Sequence, residues 1–186
     1  MITRLSFNLL VVGAALWLSS CATWTLVGGK FDASGDRYEV ELPEGWRRFM
    51  PYRDGVALTF DGLELQAVYL ARIPFDKEAP NTKRKIAKGM LPQEVAEVVI
   101  DDFRSDRNRG NLEVIENSPT AVGGYAGFKL VYSYQASTNL RKRGVYYGVL
   151  VDQWYYFVYY QAPARYYFDR DLPTFEKIRS SFKITL

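Results

Sequence analysis

The chain has 186 residues, of which 48% are hydrophobic and 24% are charged, and its formal net charge is +3 at pH 7. This length predicts one domain, and the composition is typical of a globular protein rather than a disordered one. The sequence has no histidine and one cysteine. These two counts exclude histidine-dependent catalysis, histidine metal sites, intramolecular disulfides and cysteine-rich metal clusters.

The amino terminus has the pattern of a targeting segment. Arg4 precedes an apolar run from Leu5 to Leu18, which at about 14 residues is too short to cross a bilayer comfortably. The run ends in Leu-Ser-Ser-Cys at 18–21, which resembles the lipobox of bacterial lipoproteins. The resemblance implies cleavage before Cys21 and lipidation of Cys21, and so a membrane contact through the lipid. A plain secretory signal or a short membrane anchor is the alternative.

This segment sets the predicted organisation of the chain. Residues 1–20 are a signal peptide, and 21–35, with two glycine-containing pairs and no sustained period, are a lipidated tether. Residues 36–186 are a single domain. Ala22 rather than Asp follows Cys21, and the resemblance then implies the outer membrane, with the protein facing the periplasm. Because the mature chain is nearly neutral, we expect no nucleic-acid partner.

Alternating apolar and polar residues predict strands along the domain. Asp61-Gly62 and Asp152-Gln153 lie between apolar runs and predict tight hairpins. The predicted strands are 37–42, 56–60, 63–70, 112–115, 128–134, 143–151 and 154–160.

Two helices are predicted. One begins at Leu91-Pro92 and runs to about Arg104, with Pro92 in its first turn and an apolar stripe along one face. The other lies near the carboxyl terminus, where apolar residues recur from Phe168 to Phe182. We expect it to begin near Asp171 with Pro173 in its first turn; two pieces divided by a kink are the alternative. The segment 72–90 lacks a core pattern and predicts an exposed loop.

Several short motifs occur in a characteristic order. They are Val-Glu-Leu-Pro-Glu-Gly-Trp at 40–46, Val-Gly-Gly-Tyr-Ala-Gly-Phe-Lys at 122–129 and Phe-Glu-Lys-Ile-Arg-Ser-Ser-Phe at 175–182. With the mid-chain helix between them, they resemble the PsbP/Mog-like family over residues 36–186. The resemblance implies an α+β fold, an α/β/α sandwich with a central antiparallel sheet and helices on its faces. It also implies a non-catalytic adaptor or assembly factor.

The sequence offers little catalytic chemistry. It contains no serine-nucleophile motif and no phosphate-binding loop, and we expect no catalytic residue, metal or cofactor. The locally paired carboxylates are interpreted as helix caps and solvated surface, with a carboxylate-dependent hydrolase as the alternative. They are Asp101, Asp102, Asp106, Asp169 and Asp171.

Two basic clusters are the most distinctive charges. They predict contact with an acidic protein or with lipid headgroups, and ordinary solvated charge is the alternative. The residues are Lys83, Arg84, Lys85 and Lys88 in one cluster, and Arg141, Lys142 and Arg143 in the other. We expect the segment 83–88 to be mobile in the isolated domain, because its cations repel one another.

The aromatic run at 154–160 predicts a central strand. Trp154, Tyr156 and Tyr160 share one face, and Tyr155, Phe157 and Tyr159 share the other, so we expect helices to cover at least one side of the strand. The rings are interpreted as sheet core. The alternative is a tyrosine-lined groove that carries a small apolar or glycan ligand.

Overall fold

The computed structural model of the chain describes residues 24–49 and 55–185. These residues form two α-helices, α1 (Pro92–Ser105) and α2 (Tyr167–Ser181). Their strands are β1 (Trp24–Leu26), β2 (Gly29–Ala33), β3 (Tyr38–Leu42), β4 (Arg47–Phe49), β5 (Val56–Thr59), β6 (Ala67–Pro74), β7 (Arg109–Val122), β8 (Tyr125–Ala136), β9 (Arg141–Val151), β10 (Trp154–Pro163) and β11 (Lys183–Ile184). The predicted signal peptide, 1–20, and Cys21 lie outside the described residues, and the expected cleavage and lipidation remain predictions.

The strands form two antiparallel sheets. The large sheet has the order β1-β4-β5-β6-β10-β9-β8-β7, and the small one has the order β11-β3-β2. Helix α1 packs on one face of the large sheet, while α2 and the small sheet pack on the other. The predicted α+β sandwich with a central antiparallel sheet is confirmed.

Strand β10 lies near the middle of the large sheet, between β6 and β9. Tyr156, Val158 and Tyr160 are buried in the layer that contains α2. Tyr155 is buried in the α1 layer, and Phe157 and Tyr159 are partly buried there. A strand with apolar side chains on both faces needs cover on both, so the predicted central aromatic strand is confirmed.

Helix α1 begins where the sequence predicts. Pro92 is its first residue, and the backbone N–H of Leu91 donates a 2.7 Å hydrogen bond to Glu94 Oε2. Val95 and Val98 lie on the buried face. Neither helix of the described part of the chain is long and apolar enough to cross a membrane.

Helix α2 begins about one turn earlier than predicted, at Tyr167 rather than near Asp171. The Tyr160 hydroxyl donates to the carbonyl oxygens of Tyr167 and Phe168, at 2.7 and 3.2 Å. The Phe168 ring also stacks on the Tyr160 ring, with centroids 5.5 Å apart. These contacts fix the extra turn and place Pro173 inside the helix.

The loop at Asp61-Gly62 is wider than the predicted two-residue hairpin, because β6 starts only at Ala67. The Thr59 hydroxyl donates to the Gln66 carbonyl at 2.7 Å and accepts from the Gly62 N–H at 2.9 Å. Asp61 is held by Arg170 of α2. Tertiary contacts of Asp61 and Thr59 therefore replace the tight turn. At Asp152, with φ of 53°, the predicted tight turn does form.

The segment predicted as a tether is structured in its described part. β1 pairs with β4, and β2 pairs with β3. Both strands are short and lack a clear period, so the sequence alone did not reveal them. The folded part of the chain thus includes residues from Trp24 onward.

Candidate functional site

A groove lies between the large sheet, α1 and the loop 77–86. Its floor consists of Tyr146, Tyr155, Phe157 and Tyr159, and we call this the aromatic groove. Its volume is about 480 Å³. Its apolar wall is formed by Ile73, Ile86, Val98, Val99 and Phe103.

The polar atoms at the floor are satisfied. The Tyr155 hydroxyl donates to the Tyr146 hydroxyl at 2.9 Å. Burial raises the pKa of both tyrosines, so both are neutral at physiological pH. The Tyr159 ring stacks against Tyr69, with centroids 4.7 Å apart. The floor therefore presents neutral aromatic faces.

The loop that forms the outer wall is fastened to α1 by one carboxylate. Asp102 Oδ1 accepts from the backbone N–H groups of Asn81 and Thr82, at 2.8 and 3.0 Å. Asp102 is 7% exposed, and Ile86 from the same loop is buried against the α1 layer. The segment 83–88, which was expected to be mobile, therefore follows directly after two residues held by Asp102 and is itself held at Ile86.

Arg109, the first residue of β7, also lines the groove. Its guanidinium carbon lies 3.9 Å from the centroid of the Phe103 ring, and its Nε lies 3.2 Å from Asp106 Oδ2. The centroid of the Tyr134 ring also lies near the guanidinium, 5.4 Å from its carbon. The aromatic contacts and Asp106 hold this cation in place at the groove wall.

The basic residues singled out in the sequence are mostly engaged within the protein. Lys83 Nζ donates to the Pro80 carbonyl, Arg84 pairs with Asp101, and Lys85 lies 3.7 Å from Glu78. Arg141 pairs with Glu113, Lys142 with Glu64, and Arg143 with Asp169. These pairs balance much of the positive charge that the clusters would offer to an anionic surface.

The structure also keeps part of the two clusters apart. Lys88 lies beside Leu150 and Asp152 at the carboxyl end of β9, whereas Arg141–Arg143 begin that strand. The seven residue steps from Arg143 to Leu150 span about 24 Å of strand. Contact of these residues with an acidic protein or with lipid headgroups stays a prediction.

The paired carboxylates have structural roles. Asp102 holds the loop, Asp106 accepts from the Asn108 N–H at 2.9 Å, and Asp171 binds Arg170. Within residues 24–49 and 55–185, the shifted carboxyl pKa values are those of Glu39, Asp61 and Glu116, and all three are lowered. Side-chain hydrogen bonds are the main cause of each shift. The hydrolase alternative needs a carboxyl with a raised pKa. The described part of the chain also contains no cluster of acidic residues suited to a metal ion.

Sequence reasoning missed the groove wall. Ile86 is the one aliphatic residue in the basic stretch 82–86, and this isolation is a signal that the segment is anchored. Arg109 lies beyond the predicted end of α1 at about Arg104, where the sequence predicts no functional residue. Its position after Asp106 and close to Phe103 was not informative without the fold.

Comparison with known proteins shows the fold. No protein-family model and no curated protein matches the chain. Among solved structures, cyanobacterial PsbP (CyanoP) from Synechocystis sp. PCC 6803 is 17% identical, with a TM-score of 0.58 over 90% of this chain and 98% of that one. The Ran-binding protein Mog1p from Saccharomyces cerevisiae is 6% identical, with a TM-score of 0.56 over 86% and 96%.

A third similar structure is LpqN of Mycobacterium tuberculosis, a protein involved in cell envelope biogenesis. It is 14% identical, with a TM-score of 0.52 over 88% of this chain and 91% of that one. At such identities the likeness concerns the fold alone. The chain therefore has the α+β sandwich fold of PsbP and Mog1p.

Proposed function

We propose that the protein is a lipid-anchored, non-enzymatic binding protein of the bacterial envelope whose aromatic groove receives a small ligand with an apolar body. The observation that carries the proposal is the groove itself. Its volume of about 480 Å³ lies within the range of small-molecule sites, which is about 300–1,000 Å³. Such sites are mostly apolar with a few polar groups, as this one is.

The charges around the groove favour a neutral ligand. Three basic and three acidic residues line it: Lys77, Arg84, Arg109, Glu78, Asp102 and Asp106. Because the positive and negative charges balance, the six residues together add little electrostatic binding energy for an anion or a cation. Tyrosine and phenylalanine faces bind flat apolar surfaces well. A glycan, which also stacks on aromatic rings, is the alternative ligand.

The proposed anchor rests on the sequence. Leu18-Ser19-Ser20-Cys21 matches the lipobox pattern at each position, and two acyl chains suffice for stable membrane anchoring. Ala22 favours the outer membrane, facing the periplasm. The similarity to LpqN, an envelope biogenesis protein, is compatible with this location.

The groove is tested with a neutral apolar dye, N-phenyl-1-naphthylamine, and its anionic relative 1-anilinonaphthalene-8-sulfonate. The mature chain carrying Cys21→Ala is used, so that no detergent micelle competes for dye. We expect saturable binding of the neutral dye at one site. Val99→Trp fills the groove from α1 and should weaken binding at least tenfold.

The matched control is Ile115→Trp, which adds the same ring at a residue of β7 that is 51% exposed and outside the groove. Its affinity should equal that of the parent chain. Equal affinities for the Val99→Trp and parent chains would refute the groove as the binding site. Stronger binding of the anionic dye than of the neutral one would contradict the neutral ligand class.

The anchor is tested by fractionation of the full-length chain. Cys21→Ala should move the protein from the membrane fraction to the soluble fraction, while Thr23→Ala should remain with the membrane. The mass of the mature wild-type chain should include acyl groups on Cys21. Unchanged fractionation of Cys21→Ala would refute the anchor but not the groove.

A further inference from the structure

Strand β1 places exposed apolar side chains close in sequence to Cys21. Trp24 is 36% exposed and Leu26 is 74% exposed, the highest value among the large apolar residues of the described chain. The Trp24 ring lies 4.9 Å from the Phe49 ring. Side chains two apart on a strand share a face, so Trp24 and Leu26 point to the same side of the sheet.

This strand is fixed to the domain. Its three residues pair with β4 as Trp24↔Phe49, Thr25↔Arg48 and Leu26↔Arg47. β1 is also the outermost strand of the large sheet at that edge. The exposed side chains therefore belong to the rigid fold.

Only Ala22 and Thr23 separate Cys21 from Trp24. Fully extended, this stretch spans at most about 11 Å between the Cα atoms of Cys21 and Trp24. A lipid attached to Cys21 holds that residue at the membrane surface. The edge of the sheet must then lie close to the lipid headgroups.

The side chains at this edge suit a membrane interface. Tryptophan is enriched at the level of the headgroups, because its ring is apolar and its N–H is polar. Leu26 can enter the outer part of the acyl region, and Arg47, opposite Leu26 and exposed, can contact lipid phosphates.

We propose that the β1 edge, formed by Trp24, Leu26 and Arg47, is a membrane-contact surface that holds the domain against the bilayer with this edge of the large sheet toward the lipid. The inference rests on the lipid anchor of the proposed function. It goes beyond that anchor because it assigns the orientation of the domain and the side chains that enter the interface.

The test uses the full mature lipidated protein in vesicles of phosphatidylethanolamine and phosphatidylglycerol. Because lipid occupies the native cysteine, Leu26→Cys provides a single site for a nitroxide label. The matched control is Ile115→Cys, an exposed apolar position on β7 at the opposite edge of the sheet. Seven strand spacings separate the two edges, about 34 Å.

We expect the ratio of oxygen to nickel-chelate accessibility to be several-fold higher at position 26 than at position 115. Equal ratios on a lipidated protein would overturn the membrane contact while leaving the anchor intact. A label at position 26 that is shielded from both reagents would also overturn it, by indicating a protein partner at β1. A mature chain whose mass lacks acyl groups would instead refute the anchor, and this inference with it.

A second measurement uses the wild-type side chain. Brominated lipids should quench the Trp24 emission, obtained as the difference between wild type and Trp24→Phe. Absence of quenching in the wild-type chain would overturn the proposal independently of the labelled variants.

Discussion

The hydroxyl of Tyr155 donates a 2.9 Å hydrogen bond to the hydroxyl of Tyr146, and both side chains are buried in the layer beneath α1. The two residues lie on neighbouring strands, β10 and β9, at the floor of the aromatic groove. This hydrogen bond uses the proton of Tyr155 and an acceptor site of Tyr146, and both hydroxyls are neutral at physiological pH, so the floor contains polar atoms without a charge. This pair links the packing of the sheet to the chemistry of the groove.

The buried tyrosine pair predicts a loss of stability in alkali. Burial raises the pKa of Tyr146 and Tyr155 above the ordinary value of 10. Above about pH 10 the unfolded chain releases these protons while the folded chain keeps them, so the free energy of unfolding falls as pH rises. The loss is about 1.4 kcal/mol per pH unit for each such proton. Below pH 10 both the folded and the unfolded chain keep these protons, so the tyrosine pair causes no loss of stability there.

The measurement is urea unfolding between pH 8 and 11. The double variant Tyr146→Phe, Tyr155→Phe should show a shallower decline above pH 10 than wild type. Tyr166→Phe, which removes an exposed hydroxyl, should keep the wild-type slope. A double variant with the wild-type slope would show that other groups cause the decline.

Gly144 is predicted to resist substitution because an aromatic ring covers it. Tyr132 lies opposite Gly144 across β8 and β9, and a Cβ at Gly144 would lie 2.5 Å from the Tyr132 hydroxyl oxygen. Gly144→Ala should therefore destabilise the protein by about 1–3 kcal/mol through overcrowding. The readout is the urea midpoint.

Gly110→Ala on β7 is the matched control. A Cβ there meets only ordinary contacts, with the nearest atom, the Gln135 carbonyl oxygen, at 3.5 Å. Its stability should change by less than about 0.5 kcal/mol, as is usual for surface substitutions. Equal losses for the two variants would mean that glycine flexibility, and not the Tyr132 ring, determines the effect.

The sequence was informative where a pattern had a period, although some boundaries differ, such as the start of α2 at Tyr167 rather than near Asp171. Two aromatic faces at 154–160 predicted a central strand because side chains alternate along a strand. The start of α1 followed from Pro92, whose fixed φ suits a first helical turn. These features depend on local conformation, which the local sequence largely determines.

The groove depends on contacts between distant segments and could be foreseen only as an alternative. The loop 77–86 meets α1 through Asp102, about 20 residues away, and Ile86 lies in the same buried cluster as sheet residues from Phe128 to Tyr155, which are more than 40 residues away. Similarly, β1 has three residues and exists only because β4 pairs with it. Such pairings leave no period, which is why the segment 21–35 was expected to be a tether.

Asp102 is predicted to be essential for the outer wall of the groove. Asp102→Ala would leave the N–H groups of Asn81 and Thr82 without their acceptor. The two donors are only partly buried, so losing their acceptor should cost about 1–2 kcal/mol, the lower part of the usual range. Hydrogen exchange of these two amides should accelerate by at least tenfold.

The adjacent residue provides the control for this variant. Asp101 forms a surface ion pair with Arg84, and such pairs contribute about 0–1 kcal/mol. Asp101→Ala should leave the exchange of the Asn81 and Thr82 amides nearly unchanged. Similar acceleration in both variants would indicate that general loss of charge, and not the Asp102 hydrogen bonds, opens the loop.

The contacts of Arg170 predict a contribution to stability that disappears in acid. Its guanidinium lies 2.5 Å from Asp61 and 2.6 Å from Asp171, joining the loop after β5 to α2. Hydrogen bonds from Arg170 and then Gln66 lower the pKa of Asp61 below its ordinary value of 3.8. The stabilisation is therefore present above about pH 4 and is lost as pH falls through the folded-state pKa.

Arg170→Gln should lower the free energy of unfolding at pH 7 by about 1–2 kcal/mol, since the ion pairs are partly exposed and solvent screens them. The difference from wild type should shrink below pH 4, because a protonated Asp61 no longer forms an ion pair with the guanidinium. The measurement is urea unfolding from pH 7 to pH 2.5.

The control variant is Lys85→Gln, which breaks an exposed pair with Glu78. Its free energy of unfolding should stay within about 0.5 kcal/mol of the wild-type value over the whole pH range. A deficit in Arg170→Gln that persists unchanged at pH 2.5 would assign its effect to lost packing on Tyr167, over whose ring the guanidinium carbon lies at 4.8 Å.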